Sequence, residues 1–180
     1  MKKIISIILI VSAFASCKSA KEKLSDKIKQ GEKEMLNDSS QTVNRKKAQE
    51  MINLYSEYAG KYKEDTVAAE YLFRAGDISN GIGQYREAIG FYKQCSEINT
   101  YSKQPVAFFL QGFIYETQLN DMQNAKRIYE EFLQKYPNHK LAQDVNFSLA
   151  NLGKSPEELV KMFEQNDSLG LKTDSTTAQK

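Results

Sequence analysis

The sequence has no tryptophan, one histidine and three prolines in 180 residues. A lone histidine, His139, excludes clustered-imidazole metal sites, and no Cys-x-x-Cys, glycine-rich phosphate loop or His-x-x-x-His appears. Three prolines and nine glycines exclude a low-complexity chain. Long apolar runs are also missing. The longest, Ile4 to Ala15, has 12 residues and falls short of the roughly 20 a membrane span needs. Net charge is small as well. Formal charge is +2, but Lys2 and Lys3 lie at the front and residues 1–16 hold no acid. The rest carries 23 basic and 23 acidic groups, without the basic field that neutralises nucleic-acid phosphates.

What is present begins with an address. "MKKIISIILIVSAFASC" joins a positive start, an apolar run and small residues leading to Cys17. This resembles a bacterial lipoprotein signal, in which the cysteine is lipidated after cleavage; Phe14 departs from the usual Leu, and an ordinary signal cut nearby is the alternative. The reading divides the chain into a signal peptide (1–16), a partly helical tether (17–44), a helical domain (45–165) and a disordered tail (166–180). Acyl chains on Cys17 would anchor the domain to a membrane. Lys18 after the cysteine favours the outer membrane, facing the periplasm, with surface exposure left open. Cys95 is then the only free thiol, so no internal disulfide forms.

The domain repeats. Met51, Ala88 and Ala125 are spaced by 37 residues twice, and the same offset aligns Leu54, Phe91 and Ile128; Tyr55, Tyr92 and Tyr129; Tyr58, Cys95 and Phe132. These are positions 0, 3, 4 and 7 of a helix, on one face. A second register precedes each later one: "FRAG" (73–76), "FLQG" (109–112) and "FSLA" (147–150). Two helix types, A and B, therefore alternate with a period of 34 to 38 residues. Glycine inside a helix costs about 1 kcal/mol against alanine. Gly76 and Gly112 at matching A-helix sites thus predict close approach to helix B. Residues 45–62 read as a B helix whose A helix has decayed. In 18–44, Leu24, Ile28, Met35 and Leu36 suggest a helix interrupted by Gly31, either tether or degraded A helix. Ser155, Pro156 and Glu158 predict a capped helix start.

The pattern resembles the tetratricopeptide repeat. Residues 105–137 carry it in Phe108, Gly112, Tyr115, Ala125, Tyr129 and Pro137, with Gln111 in place of Leu and one extra residue in the turn around Leu119–Met122. Residues 69–102 carry it in Leu72, Ala75, Gly76, Gly83, Tyr85, Ala88 and Tyr92. Residues 143–165 form a partial third unit with Leu149, Ala150, Leu159, Met162 and Phe163. The resemblance implies an all-α helical solenoid of about three helix pairs. "AKRIYEEFLQKYPNHKLAQDV" is similar to repeats of envelope lipoproteins of Gram-negative bacteria, the outer-membrane assembly and Tol-Pal coordinator families.

No constellation points to an enzyme, a cofactor or a bound metal. His139 reads as a capping or solvated turn residue, and Cys95 as a small core residue. Glu130–Glu131 and Glu157–Glu158 read as solvated helix positions beside basic residues. The remaining resource is surface. In the family, certain A-helix positions line a concave groove. Carried over, these are Glu70, Phe73, Asp77, Asn80 and Gly81; Val106, Phe109, Phe113, Glu116 and Thr117; and Asp144, Phe147 and Asn151. Phe73, Phe109, Phe113 and Phe147 would form an apolar track for a peptide. Alternatively those rings are core, or are covered by residues 18–44 or a second copy. The expected function is a non-enzymatic protein–protein interaction scaffold, a membrane-anchored accessory subunit of an envelope assembly or cell-wall machine. The alternative is a self-associating structural outer-membrane lipoprotein.

Overall fold

The computed structural model describes residues 18–36 and 44–170; for Pro156, Phe163 and residues 166–170 only the backbone is described. These residues form eight α-helices: α1 (Ala20–Leu36), α2 (Arg45–Lys61), α3 (Ala68–Gly81), α4 (Tyr85–Ser96), α5 (Gln104–Thr117), α6 (Met122–Lys135), α7 (Ala142–Asn151) and α8 (Pro156–Gly170). From α1 to α7 each helix packs against the next. Odd-numbered helices are of type A and even-numbered helices of type B.

Local signals set the boundaries. Ser19 and Glu22 form a reciprocal capping box: the Ser19 amide donates to Glu22 Oε2 at 2.7 Å, and the Glu22 amide to Ser19 Oγ at 3.2 Å. Ser155 and Glu158 repeat the device with the same distances. Asn44 and Asp121 cap α2 and α6 by accepting from the amides of Lys47 and Asn124. Among the described residues the α3–α4, α5–α6 and α7–α8 turns each use one left-handed residue: Gly83 (φ 81°), Asn120 (φ 50°) and Gly153 (φ 79°). Asn tolerates this region better than most side chains, and Asn120 lies within the one-residue expansion noted between α5 and α6.

The four 37-residue registers build the core. Of their twelve side chains, eleven are buried and Leu54 is half-buried. Gly76 and Gly112 explain how the helices come together. A Cβ on Gly76 would stand 2.7 Å from Tyr92 Cε1, and one on Gly112 2.7 Å from Tyr129 Cε1. Each tyrosine ring therefore occupies the space that a Cβ would take on the A helix before it. Cys95 is fully buried, donating its thiol to the Ala69 carbonyl at 3.4 Å. Burial first, with the nearby Asp77 charge second, pushes its pKa up to about 12.

Two expectations change and a third is decided between its alternatives. Gly31 does not interrupt a helix: α1 is continuous, and Gly31 faces the Met51 side chain. Of the two readings of residues 18–36, partly helical tether or degraded A helix, the packing of α1 agrees with the second. Leu24 and Ile28 are buried against the α2 core, so α1 is the A helix that α2 was thought to have lost. At the other end α8 runs to Gly170, so residues 166–170 continue the helix. The leader and Cys17, residues 37–43 and residues 171–180 lie outside the described residues. Among the described residues no helix is long and apolar enough to cross a membrane.

Candidate functional site: the A-helix face

The expected groove residues split into two groups. Phe73 is buried, which for this ring is the core alternative of the two readings. Its ring meets Tyr92 edge-on at 5.5 Å, while Lys103 Nζ lies over it at 4.8 Å and Tyr101 beside it at 6.1 Å. The loop before α5 thus closes over this ring. Phe109, one repeat later, is half-buried, stacked on Tyr129 at 6.1 Å and against Phe113 at 5.9 Å. The corresponding loop turns His139 elsewhere: its Nδ1 accepts from the Leu141 amide at 3.2 Å and its ring meets Phe132. His139 is a residue of the turn before α7, bonded within that turn. Phe113 is 40% exposed and Phe147 51% exposed.

The polar members are mostly tied to the fold. Tyr92 donates to Asp77 Oδ1 at 2.6 Å, and Tyr129 to Glu116 Oε2 at 2.6 Å. Tyr55 does the same to Glu32 Oε1 at 2.8 Å. In the first three helix pairs the B-helix tyrosine therefore anchors a carboxylate on its own A helix. Burial raises all three phenols above their ordinary range, and the carboxylate partner adds to the rise. Loss of water raises the pKa of Asp77 too, against the lowering effect of the Tyr92 hydroxyl. Asn151 is engaged locally, donating to the Phe147 carbonyl at 2.8 Å and accepting from Lys154 at 3.0 Å. Thr117 donates to the Phe113 carbonyl at 2.7 Å. Asn80 and Val106 are half-buried; Gly81 and Asp144 are exposed.

Sequence reasoning missed the charged network that links the A helices. Arg74 of α3 reaches Glu32 of α1 at 2.5 Å and Glu70 of its own helix at 3.1 Å. Glu70 also accepts from Tyr101 at 2.8 Å and Lys103 at 2.9 Å. Burial works to raise the Glu70 pKa, yet the bonds from Lys103, Tyr101 and Arg74 bring it below the ordinary value. Beside this network α1, α2 and α3 border an open depression of about 330 Å³, lined by Glu32, Met35, Leu36, Tyr55, Arg74, Asp77 and Ile78. Leu36 is 86% exposed. The pairs Gly31-Glu32 and Gly76-Asp77 were the available signal, since each glycine is followed by the acid that its B helix binds.

A second cleft, of about 500 Å³, lies on the other side between α4, α5 and α6, over Phe108, Gln111 and Tyr115. Its polar groups are largely paired internally: Gln111 with Ser96 Oγ at 3.1 Å, Arg127 with Glu131 at 2.8 Å. Among the described residues no group of three or more His, Cys, Asp or Glu side chains is placed to hold a metal.

Stacked helix pairs with tyrosine rings seated on A-helix glycines define a helical repeat solenoid. Residues 69–101 match one tetratricopeptide-repeat model and residues 106–139 match another. The fold is a tetratricopeptide-repeat helical solenoid, a protein-interaction architecture, and the two matched repeats are α3–α4 and α5–α6. No curated protein matches the chain.

Proposed function

We propose that this chain is a lipid-anchored, non-enzymatic scaffold of the bacterial outer membrane. Its A-helix face docks a protein subunit of an envelope assembly or cell-wall machine. One observation carries the docking face: Leu36, Phe113 and Phe147, on α1, α5 and α7, are large apolar side chains left exposed on A helices. Between the first and second of these runs the charged strip Glu32, Arg74, Asp77, Lys103. A partner segment with apolar side chains at intervals and a polar backbone edge suits that arrangement. Burying aromatic anchors of this kind dominates binding, while the paired charges set register more than affinity. The envelope address rests on the front of the sequence, where Lys2 and Lys3, an apolar run and Cys17 stand in order.

The test is affinity capture from detergent-solubilised membranes with wild-type and Phe113→Ala baits, with circular dichroism on both. A protein co-purifying with the wild type and lost with the variant supports the reading. Equal recovery from both baits removes the A-helix face as the docking site. Light scattering that shows a stable homo-oligomer occluding Phe113 would favour the self-associating alternative.

A further inference from the structure

At the cleft between α4, α5 and α6 the chain departs from its own repeat in two paired places. Gln111 of α5 stands where α3 carries Ala75, and where the tetratricopeptide pattern carries Leu. Ser96 of α4 shares the 37-residue register of Ala59 on α2 and Leu133 on α6. Both replacements are polar, and both side chains are buried, each 4% exposed. The buried polar side chains among the described residues are Ser79, Ser96, Gln104 and Gln111, so three of the four gather here. A buried polar group costs free energy unless it is paired. Ala59, Ala75 and Leu133 show that apolar side chains suffice for packing at these positions.

The pairing within this group is directional. Gln111 Nε2 donates to Ser96 Oγ at 3.1 Å and to the Ala107 carbonyl at 3.2 Å. Ser96 Oγ donates in turn to the Lys93 carbonyl at 2.8 Å. Gln104 Nε2 ties the Ser96 carbonyl at 2.8 Å and Asn99 Oδ1 at 3.2 Å. Both amide hydrogens of Gln111 are therefore spent on the fold, which fixes the orientation of the side chain. Its Oε1 is left over: Gln111 lines the cleft, and among the described residues no donor reaches that oxygen. Phe108, Tyr115, Ile89 and Ile128 line the same cleft. Of its charged groups, Arg127 is neutralised by Glu131 at 2.8 Å. Lys93, Lys135 and Glu97 have no ion-pair partner among the described residues, and Lys135 Nζ lies over the Phe108 ring at 5.6 Å. At about 500 Å³ the cleft falls within the range of roughly 300–1,000 Å³ in which small-ligand sites occur.

We propose that this cleft is a second binding site, for an acylamino carboxylate: an N-acylated amino acid, free or at the carboxyl end of a short peptide. The ligand's amide N–H donates to Gln111 Oε1, its carboxylate meets Lys93 and Lys135, and its apolar side chain lies against Phe108, Ile89 and Ile128. Each feature of the class answers a feature of the cleft. A buried acceptor without a partner calls for a donor and penalises a ligand that lacks one. Two ammonium groups against one carboxylate favour a single negative charge. Aromatic and branched side chains favour an apolar body. The site shares no residue with the A-helix docking face, so either can fail alone.

The experiment follows isotope-labelled isoleucine methyl groups by nuclear magnetic resonance in the full chain, held in detergent micelles. Ile89 and Ile128 report the cleft; Ile52 on α2 and Ile78 on α3 lie outside it. The probes are N-acetyl-leucine, its primary amide, which lacks the carboxylate, and its ester analogue, with oxygen in place of the N–H. N-acetyl-leucine should shift Ile89 and Ile128 saturably and leave Ile52 and Ile78 unmoved. Each analogue should bind about tenfold more weakly, having lost one hydrogen bond to a buried or charged group. Gln111→Leu restores the residue of the repeat pattern. It should fold, bind N-acetyl-leucine about tenfold more weakly and no longer distinguish it from the ester. Lys93→Gln, an exposed change, should keep the preference for amide over ester and shrink the preference for acid over primary amide. N-acetyl-alanyl-alanyl-leucine separates the two sources: tighter binding than N-acetyl-leucine supports a peptide end, and equal binding supports the free acid. Shifts that fail to saturate, or that move all four isoleucines alike, overturn the site. A folded Gln111→Leu that binds as tightly as wild type overturns it too. If Gln111→Leu does not fold, the wild-type comparison decides, and equal binding of N-acetyl-leucine and its ester overturns the assignment.

Discussion

Tyr129 of α6 donates its hydroxyl to Glu116 of α5 across 2.6 Å while its ring lies on Gly112. One residue thus reads both the shape and the charge of the facing helix. Gly112→Leu would drive a side chain into that ring, an overpacking error costing about 1–3 kcal/mol or more. Tyr129→Phe keeps the ring and removes only the hydrogen bond, costing about 1–2 kcal/mol. Urea melts followed by circular dichroism should rank Gly112→Leu as the more damaging. The reverse order would mean that ring packing on Gly112 does not hold the repeat.

The first helix gives the second prediction. If α1 belongs to the solenoid, Ile28→Ala opens a hole beneath it and costs about 2–5 kcal/mol. Ile28 is fully buried in the same core as Met51 and Tyr55. Hydrogen exchange should show α1 amides protected in the wild type and released in the variant. Fast exchange throughout α1 in the wild type would return it to the status of a tether.

Much of the fold was legible in the sequence, because a 37-residue recurrence of apolar residues at helical spacing leaves little freedom. The close approach at Gly76 and Gly112 was legible for the same reason: an interior helical glycine needs a neighbour to justify it. α1 was misread because Gly31 sits among Lys and Glu and looks like a break. Its partner, Met51, fills the space that a Cβ would take, and that pairing is invisible until the helices are juxtaposed. The "SAKE" capping box at Ser19–Glu22 was the overlooked clue. Phe73 shows the limit of periodicity for the site. It shares its register with Phe109 and Phe147, yet Tyr101 and Lys103 from the next loop cover it. Repeat spacing reports which side chains share a helix face, not what a loop lays over them.

That difference predicts separate outcomes along one stripe. Phe73→Ala empties a core site and should cost about 3–5 kcal/mol of stability. Phe113→Ala removes a ring that is 40% exposed and should leave the melting curve within about 0.5 kcal/mol of wild type. Parallel thermal melts decide this. A large stability loss in Phe113→Ala would make that ring structural.

Asp65 gives the acid response its sign. The Lys21 ammonium, then the Val67 amide, then the Tyr58 hydroxyl hold its carboxyl at a pKa of about 2. An unfolded aspartate titrates near 3.9, so between those values the unfolded chain binds the proton and the folded chain does not. Its contribution to stability is present above pH 4 and is lost as pH falls toward 2. Asp77 acts with the opposite sign, since its raised pKa lets the folded state take up a proton earlier. Asp65→Asn should therefore flatten the loss of stability on acidification from pH 5 to 2.5 in urea melts, and Asp77→Asn should steepen it. An unchanged slope in Asp65→Asn would show that this carboxylate is not held by its three donors.

The central claim is that the A-helix face meets a protein partner, and site-specific photo-crosslinking in intact cells tests it most directly. A photoreactive amino acid at Phe113 or Phe147 should give the same discrete adduct, in a membrane fraction. The same group at Glu130 or Lys126, exposed on the B helix α6, should give none. Adducts from Glu130 and Lys126 with none from Phe113 and Phe147 would contradict the account and move the partner to the opposite face.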